Sequence, residues 1–169
     1  MVNVKFMNPF VEAASEVIKA EVGSEVRRGT LSLQKSAMTT DDITVLISLV
    51  GQVQGAVFYG LSKKTGLSLV SKIAEQEFKE FDSLAQSSLA ELGNVITARA
   101  VFKLSETGYG SNISPPTLIQ GRGLQISTLD FSRMMVPLMT DYGEIMVHLA
   151  LHEAPPGFTR DRNFVPISI

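Results

Sequence analysis

Asp42-Ile-Thr-Val-Leu-Ile-Ser-Leu-Val50, followed by Gly51-Gln52-Val53-Gln54-Gly55 and then Ala56-Val57-Phe58-Tyr59, is the stretch on which the fold turns. Ile43, Val45, Ile47 and Leu49 recur at every second position, the period of a strand with one apolar face. Gly51 and Gly55 bracket a short polar connection, so Ala56 to Tyr59 reads as a strand returning beside the first. An antiparallel meander is the simplest arrangement of such a pair.

Outward from this hairpin the pattern changes on both sides. Arg27 to Gln34 keeps period two, but before it Asn8-Pro9 reads as N-cap and first helical position. Phe10, Val11, Ala14, Val17 and Ile18 then repeat at helical spacing until Gly23. On the other side Ser62 is placed to cap a helix that carries Leu67, Leu69, Val70, Ile73 and Ala74 to about Phe78, with Gly66 inside it. A third helix is predicted from Phe81 to Leu104, and Thr107 to Asn112 reads as a loop. Strands are then expected from Thr117 to Gln120 and on past Gly121 to Ser127, from Phe131 to Met139, and from Glu144 to His152. Helix, strands, two helices, strands is the order of an α+β protein, with helices on one face of a largely antiparallel sheet. If the other face is polar, a single two-layer unit results. One domain is expected over residues 1–152, with 153–169 a C-terminal extension marked by Pro155-Pro156-Gly157 and Arg160-Asp161-Arg162.

With 15 basic and 17 acidic residues, a formal charge of −2 and scattered Lys and Arg, the chain has no electrostatic footprint for nucleic acid. It contains no cysteine, which removes disulfides, thiolate nucleophiles and sulfur-ligated zinc together. The N-terminus has no signal-peptide pattern, and no stretch approaches the roughly 18 apolar residues of a membrane span, so a soluble cytoplasmic protein is expected.

The third helix carries the sharpest signal. Ser87, Glu91 and Asn94 stand at offsets of zero, four and seven, which stacks them on one face. At about 100° per residue from Leu84 they fall near 300°, 340° and 280°, roughly opposite Ala85, Leu89, Leu92 and Ile96. Composition alone yields the pattern in roughly one chain of this length in twenty, and a solvated helix face accounts for the spacing equally well. Gly93 beside Asn94 weights the balance, because two poor helix formers in mid-helix cost about 1 kcal/mol or more relative to Ala. Either a partner surface or the protein's own sheet is expected to approach the helix closely there.

Ser87-x-x-x-Glu91-x-x-Asn94, followed by Ile113-Ser114-Pro115-Pro116-Thr117 and Gly121-Arg122-Gly123-Leu124, resembles the CheC/CheX/FliY family of bacterial chemotaxis phosphatases, and most nearly its CheX-type members. The resemblance covers about residues 5 to 152. CheX-type members carry the motif once, and helix one offers no second copy: Glu12, Glu16 and Glu21 lack an Asn three residues on. The resemblance implies a CheC-like fold and dephosphorylation of a CheY-like response regulator, whose phosphoryl group sits on an aspartate beside Mg²⁺. No cofactor or metal is implied for this chain itself. By the same resemblance Asn94 orients the attacking water, Glu91 pairs with the regulator's lysine, and Ser87 supports the interface. Pro115 or Pro116 shapes the return from helix to sheet, and two copies pair as a homodimer through sheet edges. A carboxamide suits that task, since it has both a donor and an acceptor, and acyl-phosphate hydrolysis asks mostly for an in-line water. A non-catalytic regulator-binding or flagellar-switch-like module would use the same helix without hastening hydrolysis.

Other signals point elsewhere less well. His148 and His152 share a strand face but stand about 13 Å apart, too far to chelate one ion, and read as surface or interface histidines. Gly60 to Thr65 fails the phosphate-loop pattern and reads as a helix start. Glu75, Glu77, Glu80 and Asp82 read as a solvated connection, and Met134, Met135 and Met139 as core or interface filler. Without a His, Cys or Ser constellation, an ordinary small-molecule enzyme lacks support.

Overall fold

A computed structural model describes residues 4–35, 37–129 and 131–156. After a short 3-10 turn come α1 (Met7–Val22), β1 (Arg27–Arg28), β2 (Ser32–Gln34), β3 (Ala37–Thr39), β4 (Ile43–Gly51) and β5 (Val53–Leu61). Then follow α2 (Lys63–Ile73), α3 (Ser83–Glu106), β6 (Ser111–Ile113), β7 (Thr117–Gln120), β8 (Gln125–Ser127), β9 (Arg133–Thr140) and β10 (Gly143–Glu153). The fold is α+β with a largely antiparallel sheet, as the element order implies.

The β4–β5 hairpin forms in the register that the alternation requires, with Ile47 opposite Val57 and Leu49 opposite Gly55. β10 lies along the free edge of β5 and β9 along β10, giving the order β1-β9-β10-β5-β4-β6, with β2 also on β9 and β7 also on β4. Every pairing is antiparallel. Ile43, Val45, Ile47 and Leu49 of β4 face the helices together with Val57, Tyr59, Val147, Leu149, Val136 and Leu138. They share one core with Phe10, Ala14, Val17 and Ile18 of α1 and Leu89, Leu92, Ile96 and Ala100 of α3. Each of the Val, Leu, Ile and Phe side chains among them gains about 1.5–3 kcal/mol by leaving water, which holds α1 and α3 to the sheet.

The opposite sheet face is not simply polar, as expected from alternation alone. β3 and β8 pair as a separate ribbon that lies over it, burying Met38 with Phe58 and Ala150 and packing Leu46, Ala56 and Ile126 beside them. Arg133 of β9 is fully buried there and donates from Nη2 to the Ala37 carbonyl at 2.6 Å, tying the ribbon down.

Several boundaries differ from the sequence pattern, each for a local reason. α1 starts at Met7, so Asn8 is not its cap, and Pro9 sits in the first turn where a missing N–H costs nothing. Gly23 does end it, at φ +70°. The run 27–34 is two short strands, because Gly29 leaves the ladder between them while still donating to the Pro137 carbonyl at 2.8 Å. The returning strand begins at Val53, and Gly55 lies inside it rather than closing the turn: at φ +129° it passes so near β10 that a Cβ would lie 1.9 Å from the Ala150 carbonyl oxygen. α2 ends at Ile73, and Phe78 is folded back with its N–H on Ser71 Oγ at 3.0 Å. The expected 117–127 strand breaks at Gly121, since β7 belongs to the large sheet and β8 to the ribbon. Ser111 and Asn112, expected in a loop, join Ile113 in β6, which pairs with β4. Glu153 pairs with Val53, and Ala154 donates to the Gln52 carbonyl at 2.8 Å, so the expected extension joins the fold at its first residues. Residues 157–169 of that extension lie outside the described ones.

Candidate functional site

α3 begins where Asp82 accepts a hydrogen bond from Ala85 N through Oδ1 at 2.9 Å, satisfying one of the donors a helix start leaves free. The helix therefore starts two residues after Phe81, which is buried just ahead of it. Three turns in, Leu89, Leu92 and Ile96 are buried, Ser87 and Glu91 are exposed, and Asn94 is half-buried. The structure thus places all three polar side chains away from the core on one helix.

Gly93 faces the protein's own sheet. It is buried, and a Cβ there would meet Val45 Cγ1 at 3.0 Å and Tyr59 Cδ2 at 3.4 Å. Its value is close helix–sheet packing, not room for a partner. The same turn is fastened by two side chains that the sequence pattern did not single out. Thr97 Oγ1, fully buried, donates to the Gly93 carbonyl at 2.7 Å, and Tyr59 OH lies 2.8 Å from the same Thr97 oxygen. Since the threonine proton is used on Gly93, the tyrosine donates to Thr97. Burial pushes the Tyr59 phenol above its ordinary range, so it remains a donor. Asn94 follows directly on this clamp. The one available signal was a threonine and a tyrosine at core-facing phases, where hydroxyls need partners.

Glu91 and Asn94 are left nearly free. Asn94 Nδ2 reaches Glu91 Oε2 at 3.5 Å, the limit of a hydrogen bond, so neither group is committed to the other. Glu91 has no cationic partner among the described residues, whereas Glu16 is held by Lys103 at 2.7 Å and Arg99 at 3.3 Å. Lys103 draws the Glu16 carboxyl below the usual range, and the two residues tie α1 to α3.

Pro115 and Pro116 link β6 to β7 along the outer edge of β4. The chain has already returned to the sheet at β6, so the prolines interrupt an edge strand rather than making the return. An edge tolerates them because the missing donor faces no neighbour. Ser114 bridges the gap, donating from N to the Ser48 carbonyl and accepting from Ser48 N through Oγ, both at 2.9 Å.

His148 is buried, not a surface histidine. Burial and the charge of Arg133 lower its pKa to about 4. His152 stacks on Phe131 with centroids 4.3 Å apart. Among the described residues no group of three or more His, Asp or Glu is arranged to hold a metal ion. Ser62 caps α2 by accepting from Thr65 N at 3.1 Å, as the helix-start reading required. Met134 is core, while Met139 is exposed. A polar cavity on the far sheet face, lined by Asp41, Thr65, Arg122, Glu144 and His148 among others, holds no nucleophile–base pair: its one serine, Ser62, is committed to capping. No helix among the described residues is long and apolar enough to cross a membrane.

Comparison with known proteins matches residues 43–139 to the family described as "Chemotaxis phosphatase CheX". The chain is 28% identical over 127 residues to the CheY-P phosphatase CheX of Thermotoga maritima, covering 75% of this chain and 82% of that protein. A CheC-like superfamily protein from Shewanella sp. PV-4 superposes with a TM-score of 0.80 at 25% identity, over 89% of this chain and 99% of that one. A CheX-CheY-BeF3-Mg²⁺ complex from Borrelia burgdorferi contains a chain that superposes at 0.76 with 27% identity, over 89% of this chain and all of that one.

Proposed function

The chain belongs to the chemotaxis phosphatase CheX family, and on that premise we propose that it hydrolyses the aspartyl phosphate of a CheY-like response regulator. Asn94 enters the regulator's active site and aligns a water with the phosphorus, its carbonyl accepting from the water and its amide free to steady the phosphoryl oxygens. The water oxygen bonds to phosphorus and the bond to the aspartate oxygen breaks, so inorganic phosphate departs with the water's protons and the aspartate stays in the regulator as a free carboxylate. Glu91 pairs with the regulator's lysine in a charge-assisted contact that fixes the register of Asn94. Ser87 lies one turn earlier at the rim. Mg²⁺ belongs to the regulator, where it neutralises charge on the phosphoryl group.

The observation that carries this reading is the pairing of two uncommitted groups, Glu91 and Asn94, on a helix turn clamped to the sheet through Gly93 and Thr97. A site meant to complete another protein's active centre must be exposed yet rigid, and both conditions meet here. The names of the relatives, a CheY-P phosphatase and a CheX in complex with CheY, support the same assignment. An adaptor role without catalysis would have been favoured by Asn94 or Glu91 turned into the core, and neither is.

The test is phosphate release from phosphorylated regulator. Wild type accelerates it, and Asn94→Ala and Glu91→Ala each lower the acceleration by about 100-fold, the penalty typical of lost positioning. Equal release by wild type and both variants, with binding and fold intact, overturns the mechanism. The homodimer is also proposed, with a second copy on an open sheet edge. β1 and β2 form one edge, where Leu33 is 65% exposed. Light scattering reads the mass directly. A cytoplasmic location is proposed with it, where a response regulator would be met.

A further inference from the structure

Beside the Glu91–Asn94 pair a groove of about 340 Å³ opens between the C-terminal ends of α1 and α2 and the outer flank of α3. Its walls are Ile73, Leu92 and Val95, and its lip carries Glu21 and Glu91 with Ser87 and Ser88. Val95 is 37% exposed and Leu84, three turns earlier on the same flank, 53%. Like Glu91, Glu21 has no ion pair among the described residues, although Glu12, Glu16 and Glu25 all do. The groove is therefore an apolar slot with two uncompensated carboxylates at its mouth.

We propose that this groove seats an apolar side chain of the phosphorylated response regulator, one flanked by a lysine or arginine that Glu21 holds, and so selects which regulator presents its phosphate to Asn94. The inference rests on the phosphatase reading and adds partner selection to it. Continuity argues for this occupant: Ser87 and Glu91 belong both to the motif and to the groove, so a protein whose lysine meets Glu91 covers the groove as well. Size argues the same way. A specific interface buries about 800 Å² on each partner, more than three polar side chains supply, and the adjoining apolar surface is this slot. Charge agrees, since two free carboxylates at the lip favour a basic neighbour. A small metabolite is a poorer fit, because the walls offer it no convergent polar groups.

The experiment measures the rate of dephosphorylation against regulator concentration for a set of CheY-like receivers phosphorylated with phosphoramidate. Val95→Gln raises the half-saturating concentration about tenfold, and Glu21→Gln raises it in a salt-dependent manner, both with unchanged turnover at saturation. Val95→Ile, which keeps the wall apolar, stays near wild type. Unchanged half-saturation in both polar variants, while wild type is active, overturns the groove assignment alone. A wild type that accelerates hydrolysis of no receiver overturns the phosphatase reading itself, and this inference with it. If Val95→Gln shifts the oligomeric state in sedimentation but not half-saturation, the groove is a surface for a second copy and the proposal falls.

Discussion

Asn94 and Glu91 are separated by one helical turn, yet their loss should be read in different ways. Both lie off the core, so Asn94→Ala and Glu91→Gln are each expected to change stability by no more than about 0.5 kcal/mol, measured by urea denaturation, while phosphate release collapses. Gly93 behaves oppositely. Gly93→Ala gains about 1 kcal/mol of helix propensity but must push Val45 Cγ1 from 3.0 Å, so it is expected to be near neutral. Gly93→Leu cannot be accommodated and should cost about 1–3 kcal/mol and displace Asn94, seen as lost stability together with lost activity. The trio off the core was legible in the sequence because helical period alone decides which side chains share a face. Tyr59 and Thr97 were not, since the hydroxyl that completes their chain lies 38 residues away and only the folded sheet brings it there.

At the level of elements, α3 is positioned by the sheet it lies on, and its middle turn depends on a polar chain running from Tyr59 to Thr97 to the Gly93 carbonyl. Thr97→Val removes both links and strands the buried tyrosine hydroxyl, with an expected loss of about 1–3 kcal/mol in denaturation. Tyr59→Phe leaves the Thr97 to Gly93 bond in place and should cost about 1 kcal/mol. Turnover should fall in the same order, more for Thr97→Val than for Tyr59→Phe, if the clamp sets the register of Asn94. The long strands β4 and β10 could be read in advance because nine and eleven residues display an alternation, whereas β5 was legible only in its middle, from the glycines ahead of it. β3, β6 and β8 have three residues each, too few to show any period. The break between β7 and β8 was hidden for another reason: both halves are strand-like, and what separates them is assignment to different sheets.

For the molecule as a whole, the ribbon over the far sheet face gives stability a dependence on acidity. His148 is kept neutral by burial and by Arg133, its pKa lowered from 6.5 to about 4. Between those values the unfolded chain binds the proton and the fold does not, so stability rises with pH through that window and this contribution is level above it. Acidification from pH 6.5 to 4 is expected to cost up to about 3 kcal/mol, and His148→Gln should flatten the profile in urea titrations across that range. The two-sided character of the sheet was the least legible feature, because alternation says which residues face away from the helices but not what comes to lie on them. One further property follows from the clamp beneath Asn94. The chain has no tryptophan and three tyrosines, and one of the three is Tyr59, sealed in the core with its hydroxyl on Thr97. Near-ultraviolet emission therefore arises from very few sources, one of them directly under the helix proposed to dock, and the protein carries its own optical gauge of whether that helix moves when a partner is added.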